Sequence, residues 1–147
     1  MSVELAPGLD KLSLSQVIRS AVSHHERRTG ATLAVKLHTL PEDGQLDLKN
    51  SVYRFVEDGL RLVSLNAKGA LHEMEAACEG GLLCLEVMVA GQGTNVEGLL
   101  DLQHSDVHWL RRRVETSGGQ FKIESLRGAE TRMSARFRVN ERNAFYE

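Results

Sequence analysis

Cysteine, proline and any surplus of one charge are scarce in this 147-residue chain, and each scarcity removes a class of function. Cys78 and Cys84 are the sole cysteines, and without further Cys or His at ligand spacing two thiols build neither a zinc site nor a disulfide framework. Two prolines are too few for a proline-rich linker or a disordered tail. Eighteen Lys and Arg stand against twenty Asp and Glu, a formal net charge of -2, so no global field draws the chain to nucleic acid or to an anionic membrane. No run approaches the roughly 18 consecutive apolar residues of a membrane span, and the opening Met-Ser-Val-Glu-Leu-Ala-Pro-Gly lacks the layout of a signal peptide. The expectation is a cytosolic protein with reduced, structural cysteines, no nucleic-acid partner and no membrane insertion.

What is present is an ordinary globular composition, 41% hydrophobic and 26% charged, in a length that suits one core. Leu12, Leu14, Val17, Ile18, Ala21 and Val22 recur at three- and four-residue spacing up to Arg28, with Ser13 or Ser15 as a cap and Gly30 as the stop. That pattern predicts an amphipathic helix. Ala31 to His38 alternates, with Leu33, Val35 and Leu37 set against Lys36 and His38, as a half-buried strand does. Pro41-Glu42-Asp43-Gly44 is a turn by composition. Leu46 to Leu65 carries Val52, Phe55, Val56, Leu60 and Val63 on one side and is the longest helix expected. Gly69 to Cys78 and Leu82 to Val89 are expected as a hairpin closed by Glu79-Gly80-Gly81.

Ala90 to Ser105 is glycine-rich and aperiodic, a flexible loop by expectation. It feeds a helix built on Val107, Leu110 and Val114 that ends at Gly118-Gly119. Phe121 to Ser125 and Thr131 to Val139 follow as two more strands. Helices and hairpins in this order predict an α+β two-layer sandwich: a mixed, mostly antiparallel sheet with about three helices on one face and solvent on the other. The domain is expected over residues 12–139, behind a lead at 1–11 and ahead of a tail at 140–147.

Specific strings add to this pattern. His25-Glu26-Arg27-Arg28-Thr29-Gly30 precedes a strand, Val52-Tyr53-Arg54-Phe55-Val56-Glu57-Asp58-Gly59-Leu60 lies on the long helix, and Arg113-Val114-Glu115-Thr116-Ser117-Gly118-Gly119 ends the later one. With Gly128-Ala129-Glu130-Thr131 before the last strand, these resemble in order the ATP-binding domain of sensor histidine kinases, the GHKL fold. In such kinases the long helix reads Tyr-Arg-Ile-Val-Gln-Glu-Ala-Leu, and Tyr53-Arg54 fixes the register. The resemblance covers roughly residues 10 to 139.

Carried over by position, the family's base on the long helix falls on Asp58 and its magnesium-holding Asn falls on Leu62. A spacing of four puts both on one helical face, but a leucine offers magnesium no oxygen. Asn66 stands where the family often has His, as a phosphate contact or a helix cap. The family's Asp-x-Gly-x-Gly, whose Asp accepts from the adenine amino group, aligns with Val89-Ala90-Gly91-Gln92-Gly93. Both glycines stand, while a charged hydrogen bond worth about 1.5 to 3 kcal/mol is missing at Val89. The phosphate-wrapping Gly-Leu-x-Gly aligns with Asp106-Val107-His108-Trp109, so a carboxylate and an indole replace two glycines. Gly128 and Thr131 match the late Gly-x-Gly-Thr turn in part.

The resemblance therefore implies a degenerate histidine-kinase-type ATP-binding domain of bacterial two-component signalling, with ATP and magnesium disfavoured by Leu62 and Val89 and with no metal site assigned. Its work would be binding to a helical dimerisation and phosphotransfer segment or to a response regulator, and homodimerisation is left open. The alternative is the catalytic half of an active kinase, with Asp58 as base and the backbone near Gly91 and Gly93 holding phosphate. A third reading gives the pocket to another small ligand. For single residues the plainer readings are favoured: Asp58 as a solvated helix carboxylate and Arg111-Arg112-Arg113 as a solvated run. For Trp109, core packing weighs as much as a place in the pocket or an interface.

Overall fold

The computed structural model describes residues 8–30, 32–41, 45–66, 71–90, 104–126 and 130–139. Most of the lead, of the glycine-rich loop and of the tail, with Gly91, Gly93 and Gly128, lies outside the described residues. A short 3-10 turn, Leu9–Lys11, comes first, and Leu9 is buried. Helix α1, Leu14–Thr29, begins at a complete capping box: Ser13 Oγ accepts from the Gln16 amide at 3.2 Å and Gln16 Oε1 accepts from the Ser13 amide at 2.8 Å. It ends at Gly30, whose φ of 78° is open to glycine at no steric cost. Its apolar stripe, Leu14, Val17, Ile18, Ala21 and Val22, is buried. Glu26 then accepts from the Leu33 amide at 2.8 Å and ties the helix end to the segment entering β1, Ala34–Leu37. That strand is shorter than the alternation at Ala31 to His38 suggested.

Helix α2, Leu46–Asn66, buries Val52, Phe55, Val56 and Leu60 along one stripe. Lys49 is buried too, its ammonium donating to the Asp10 carbonyl at 3.1 Å, so the 3-10 turn is clipped to α2. Strands β2, Leu71–Glu79, and β3, Leu82–Ala90, form a hairpin in which Glu79 pairs with Leu82. The turn is thus the two residues Gly80-Gly81 alone, both at positive φ (59° and 80°), and Glu79 belongs to the ladder rather than to the loop. Helix α3, His104–Thr116, starts earlier than its apolar periodicity indicated. It closes in a Schellman motif: the Gly119 amide donates to the Val114 carbonyl and the Gly118 amide to the Glu115 carbonyl, each at 2.9 Å. Strands β4, Gln120–Leu126, and β5, Glu130–Arg138, are the last elements among the described residues.

The five strands form one sheet in the order β1-β2-β3-β5-β4, with β1 parallel to β2 and every other pair antiparallel. Met74, Ala76, Leu83, Leu85, Val87, Met133, Ala135, Phe137 and Phe121 alternate onto the buried face, against which the helices pack. The opposite face carries ion pairs, Lys36 with Glu73 at 2.9 Å, His38 with Glu75 at 2.7 Å and Arg132 with Glu86 at 3.8 Å. This is the α+β sandwich the sequence predicts. Phe55 of α2 meets Phe121 of β4 edge to face, ring centres 6.4 Å apart.

Two glycines respond to substitution in opposite ways. At Gly59 in α2 an added Cβ would find the flexible Met133 Cε at 3.4 Å, ordinary contact, so Gly59→Ala is expected to stabilise by about 0.5 to 1 kcal/mol through helix propensity. At Gly119 a Cβ would sit 2.7 Å from the Arg136 carbonyl oxygen and 2.9 Å from Phe137, so Gly119→Ala is expected to cost about 2 kcal/mol. Denaturant unfolding of both variants checks the pair of signs.

Candidate functional site

The spacing of Arg54, Asp58, Arg61 and Leu62 places these four side chains along one edge of α2, beside the stripe that enters the core. On α3, Trp109, Leu110 and Arg113 follow the same helical logic. The two helices bring these seven residues together around a cavity of about 400 Å³. Leu62 and Leu110, each 4% exposed, supply apolar wall, while Trp109 is 60% exposed at the rim. Among the described lining residues three guanidiniums stand beside one carboxylate.

Asp58 is the hub. Its Oδ1 lies 3.4 Å from Arg61 Nη2 and its Oδ2 3.8 Å from Arg113 Nε. Both exceed the about 2.7 to 2.9 Å of a strong charge-assisted hydrogen bond, so neither guanidinium is fully served by this carboxylate. Burial holds the Asp58 carboxyl above its ordinary value of 3.8, Arg113 and Arg61 pull the other way, Glu57 adds to the rise and Arg54 subtracts from it. The expectation of a solvated helix carboxylate is corrected: Asp58 is 23% exposed because α3 lies over it. Arg113 also stacks on Trp109, its guanidinium carbon 5.2 Å from the ring centre, and Arg111 lies 5.0 Å over Phe121. Two of the three consecutive arginines are therefore engaged rather than simply solvated, and Trp109 is a rim residue, not part of the core.

Of the positions the sequence singled out, Asp58, Leu62 and Trp109 meet at the cavity. Val89 and Thr131 are cross-strand partners, two residues beyond the Val87 and Met133 pair that packs against Gly59. Asn66 ends α2 and Asp106 lies in the first turn of α3, and the side chains of Asn66, Val89, Asp106 and Thr131 lie outside the described residues. The sequence reading missed Arg54, Arg61 and Leu110 as lining residues. The positions 54, 58 and 61 were the available signal, since alternating charge at helical spacing marks one edge of a helix. One residue before Asp58, Glu57 is hydrogen-bonded to His24 and stands 3.9 Å from Arg28, which ties α1 to the same stretch of α2.

The raised Asp58 has a consequence for stability. A carboxyl whose folded value lies above its unfolded one favours the fold while protonated, and that contribution is lost as pH rises through the folded value. Asp58→Asn escapes the loss, so the variant is expected to gain stability over the parent as pH rises from 3.8 toward neutrality, with the difference vanishing below that value. Unfolding midpoints across this range measure it. A difference independent of pH, or one that shrinks on going to neutral pH, would contradict the assigned burial of this carboxyl.

No protein-family model matches the chain, and no curated protein matches it in sequence. Solved structures match in fold. The histidine kinase domain from the Erythrobacter litoralis EL346 blue-light activated histidine kinase superposes with a TM-score of 0.72 at 13% identity, over 92% of this chain and 69% of that one. The Erythrobacter litoralis EL346 blue-light activated histidine kinase gives 0.65 at 15% identity, over 89% of this chain and 42% of that one. The Acinetobacter baumannii histidine kinase AdeS gives 0.64 at 12% identity, over 88% of this chain and 66% of that one. The chain thus spans between 42% and 69% of the lengths of these structures, and it has the α+β fold of histidine kinase domains.

Proposed function

We propose that this is a histidine-kinase-type ATP-binding domain of two-component signal transduction that has kept its fold without magnesium-nucleotide chemistry, and that it works by binding a protein partner. The observation that carries this reading is the composition of the cavity wall. Leu62, buried at the position that the family resemblance gives to the magnesium ligand, offers no oxygen, and Asp58 is the sole carboxylate among the described lining residues. Magnesium takes near-octahedral oxygen coordination, and guanidiniums repel a cation instead of holding one. These residues do not fit the ion. Val89 in place of the adenine acceptor adds to the case from the sequence. The partner we propose is a dimerisation and phosphotransfer segment or a response regulator, meeting the cavity mouth and, as the family resemblance implies, the segment 90–105.

One observation favours the catalytic reading instead. A half-buried carboxyl with a raised value beside arginines is the kind of environment in which general bases are tuned. Phosphate transfer to a supplied phosphoacceptor helix pair, abolished in Asp58→Ala, would establish it.

The two readings separate in a titration with ATP, with and without magnesium, followed by heat and by the fluorescence of Trp109, the single tryptophan at the rim. The expected result is no magnesium-dependent binding in the micromolar range. Micromolar binding that needs magnesium would overturn the proposal and make the catalytic reading the better one.

A further inference from the structure

The sheet has a second face, turned away from the helices and the cavity, and its charges are sorted by strand. Met74, Ala76, Leu83, Leu85, Met133 and Ala135 turn inward, so the residues that alternate with them turn outward. On β2 these are Glu73, Glu75, Ala77 and Glu79, and on β5 they are Arg132, Ser134, Arg136 and Arg138. Between the acidic strand and the basic one lies β3, which presents Leu82, Cys84, Glu86 and Met88, with Leu82 36% exposed. Neighbours within the chain meet part of this charge: Lys36 holds Glu73, His38 holds Glu75, and Glu86 stands 3.8 Å from Arg132. Glu79 and Arg136, both exposed, make no ion pair among the described residues. An acidic and a basic strand on either side of a mainly apolar one make a face complementary to itself.

We propose that this face is a self-association surface, on which a second copy of the chain packs sheet against sheet about a two-fold axis running along β3. The charges choose that axis. Rotation about β3 lays β2 of one copy over β5 of the other, whereas an axis across the strands would lay β2 on β2 and acid on acid. The register then sets Glu73 opposite Arg132 of the second copy, and Glu79 opposite its Arg138 and one outward step from its Arg136. Leu82, Cys84 and Met88 meet their own counterparts along the axis. Glu86 meets its counterpart too, and Arg132 of its own chain offsets that like charge. The edge strands carry both signs, Lys36 on β1 and Lys122 with Glu124 on β4, and do not discriminate. At about 3.4 Å along and 4.8 Å across per residue, the described strands offer about 600 Å² per copy, so a pair buries about 1,200 Å², the low end for a specific interface. The dimer is therefore weak and reversible, and it leaves the cavity on the helical side open.

Sedimentation equilibrium of the full chain over about 10 to 500 µM is expected to show the mass moving from one chain toward two, less completely at high salt. Arg136→Glu and Glu79→Arg are each expected to weaken the association about tenfold. Mixed in equal amounts, the two variants are expected to associate within about threefold of the parent, because each chain supplies the charge the other has lost. A folding defect could not be cured from a second chain. Packed sheets lie about 10 Å apart, beyond the Cα spacing of a disulfide, so the facing Cys84 thiols call for a short dimaleimide linker rather than oxidation. A sub-stoichiometric amount is expected to trap dimer from the parent and from Cys78→Ser, since Cys78 packs on the core side of the sheet, and not from Cys84→Ser. A chain that stays monomeric across the range, single charge reversals as strongly associated as the parent, a mixture no stronger than either variant alone, or trapping that survives Cys84→Ser would each overturn the proposal.

Discussion

The burial of one stripe of α2 against the sheet is the constraint from which the rest of the molecule follows. Gly59 lies on that helix opposite Met133 and Val87, where an added Cβ would make ordinary contact at 3.4 Å and 3.8 Å. Val52, Phe55, Val56 and Leu60 then sink into the sheet on the same stripe, and Phe55 reaches Phe121 on the far edge strand. A helix seated this deeply leaves only its flanks exposed. One flank meets α1 through Glu57, and the other carries Arg54, Asp58, Arg61 and Leu62 toward α3. The site is thus a by-product of the packing, because the residues that border the core stripe are those that a second helix can reach.

The second helix is positioned from its far end. The Schellman motif at Gly118 and Gly119 reverses the chain into β4, and Gly119 lies so close to the Arg136 carbonyl that no side chain fits there. The hydrogen bond from Ser51 to Ser117, at 2.9 Å, holds that corner to α2. From this anchor α3 runs back over α2, which brings Arg113 onto Asp58 and sets Trp109 at the rim. Charge and burial oppose each other here. Burial alone would favour a protonated Asp58, the arginines favour the ionised form, and the outcome is a carboxyl raised in spite of them. Arginine suits such a place because it does not give up its charge when partly buried.

The elements themselves were legible in the sequence because their signals are local. Ser13 and Gln16 spell a capping box, Gly30 stops α1, and paired glycines at 80 and 81 demand the positive φ values of a tight hairpin turn. Alternation in β2, β3 and β5 gave the buried face. The α+β architecture could be read from the order of those elements alone. The state of Asp58 could not, because its environment is set by Arg113, which is remote in sequence and arrives only when α3 folds back. Trp109 is the mirror case: the sequence weighed core packing equally with a place in the pocket or an interface, and its register on α3 puts it about a third of a turn away from the buried stripe of Val107, Leu110 and Val114. The hairpin loop was read one residue too long for a similar reason, since only the pairing of Glu79 with Leu82 shows where the ladder stops.

Whether a divalent ion has a place beside Leu62 is the point on which the functional reading turns. The direct measurement is paramagnetic broadening by manganese, added with ATP, of the assigned backbone amides from Arg54 to Leu62 and of the Trp109 indole. If Leu62 and the three arginines exclude the ion, these signals broaden no more than those of the remote outer face of the sheet. Selective loss of the α2 amides around Leu62 and Asp58 would place a metal in the cavity and contradict the loss of magnesium-nucleotide chemistry.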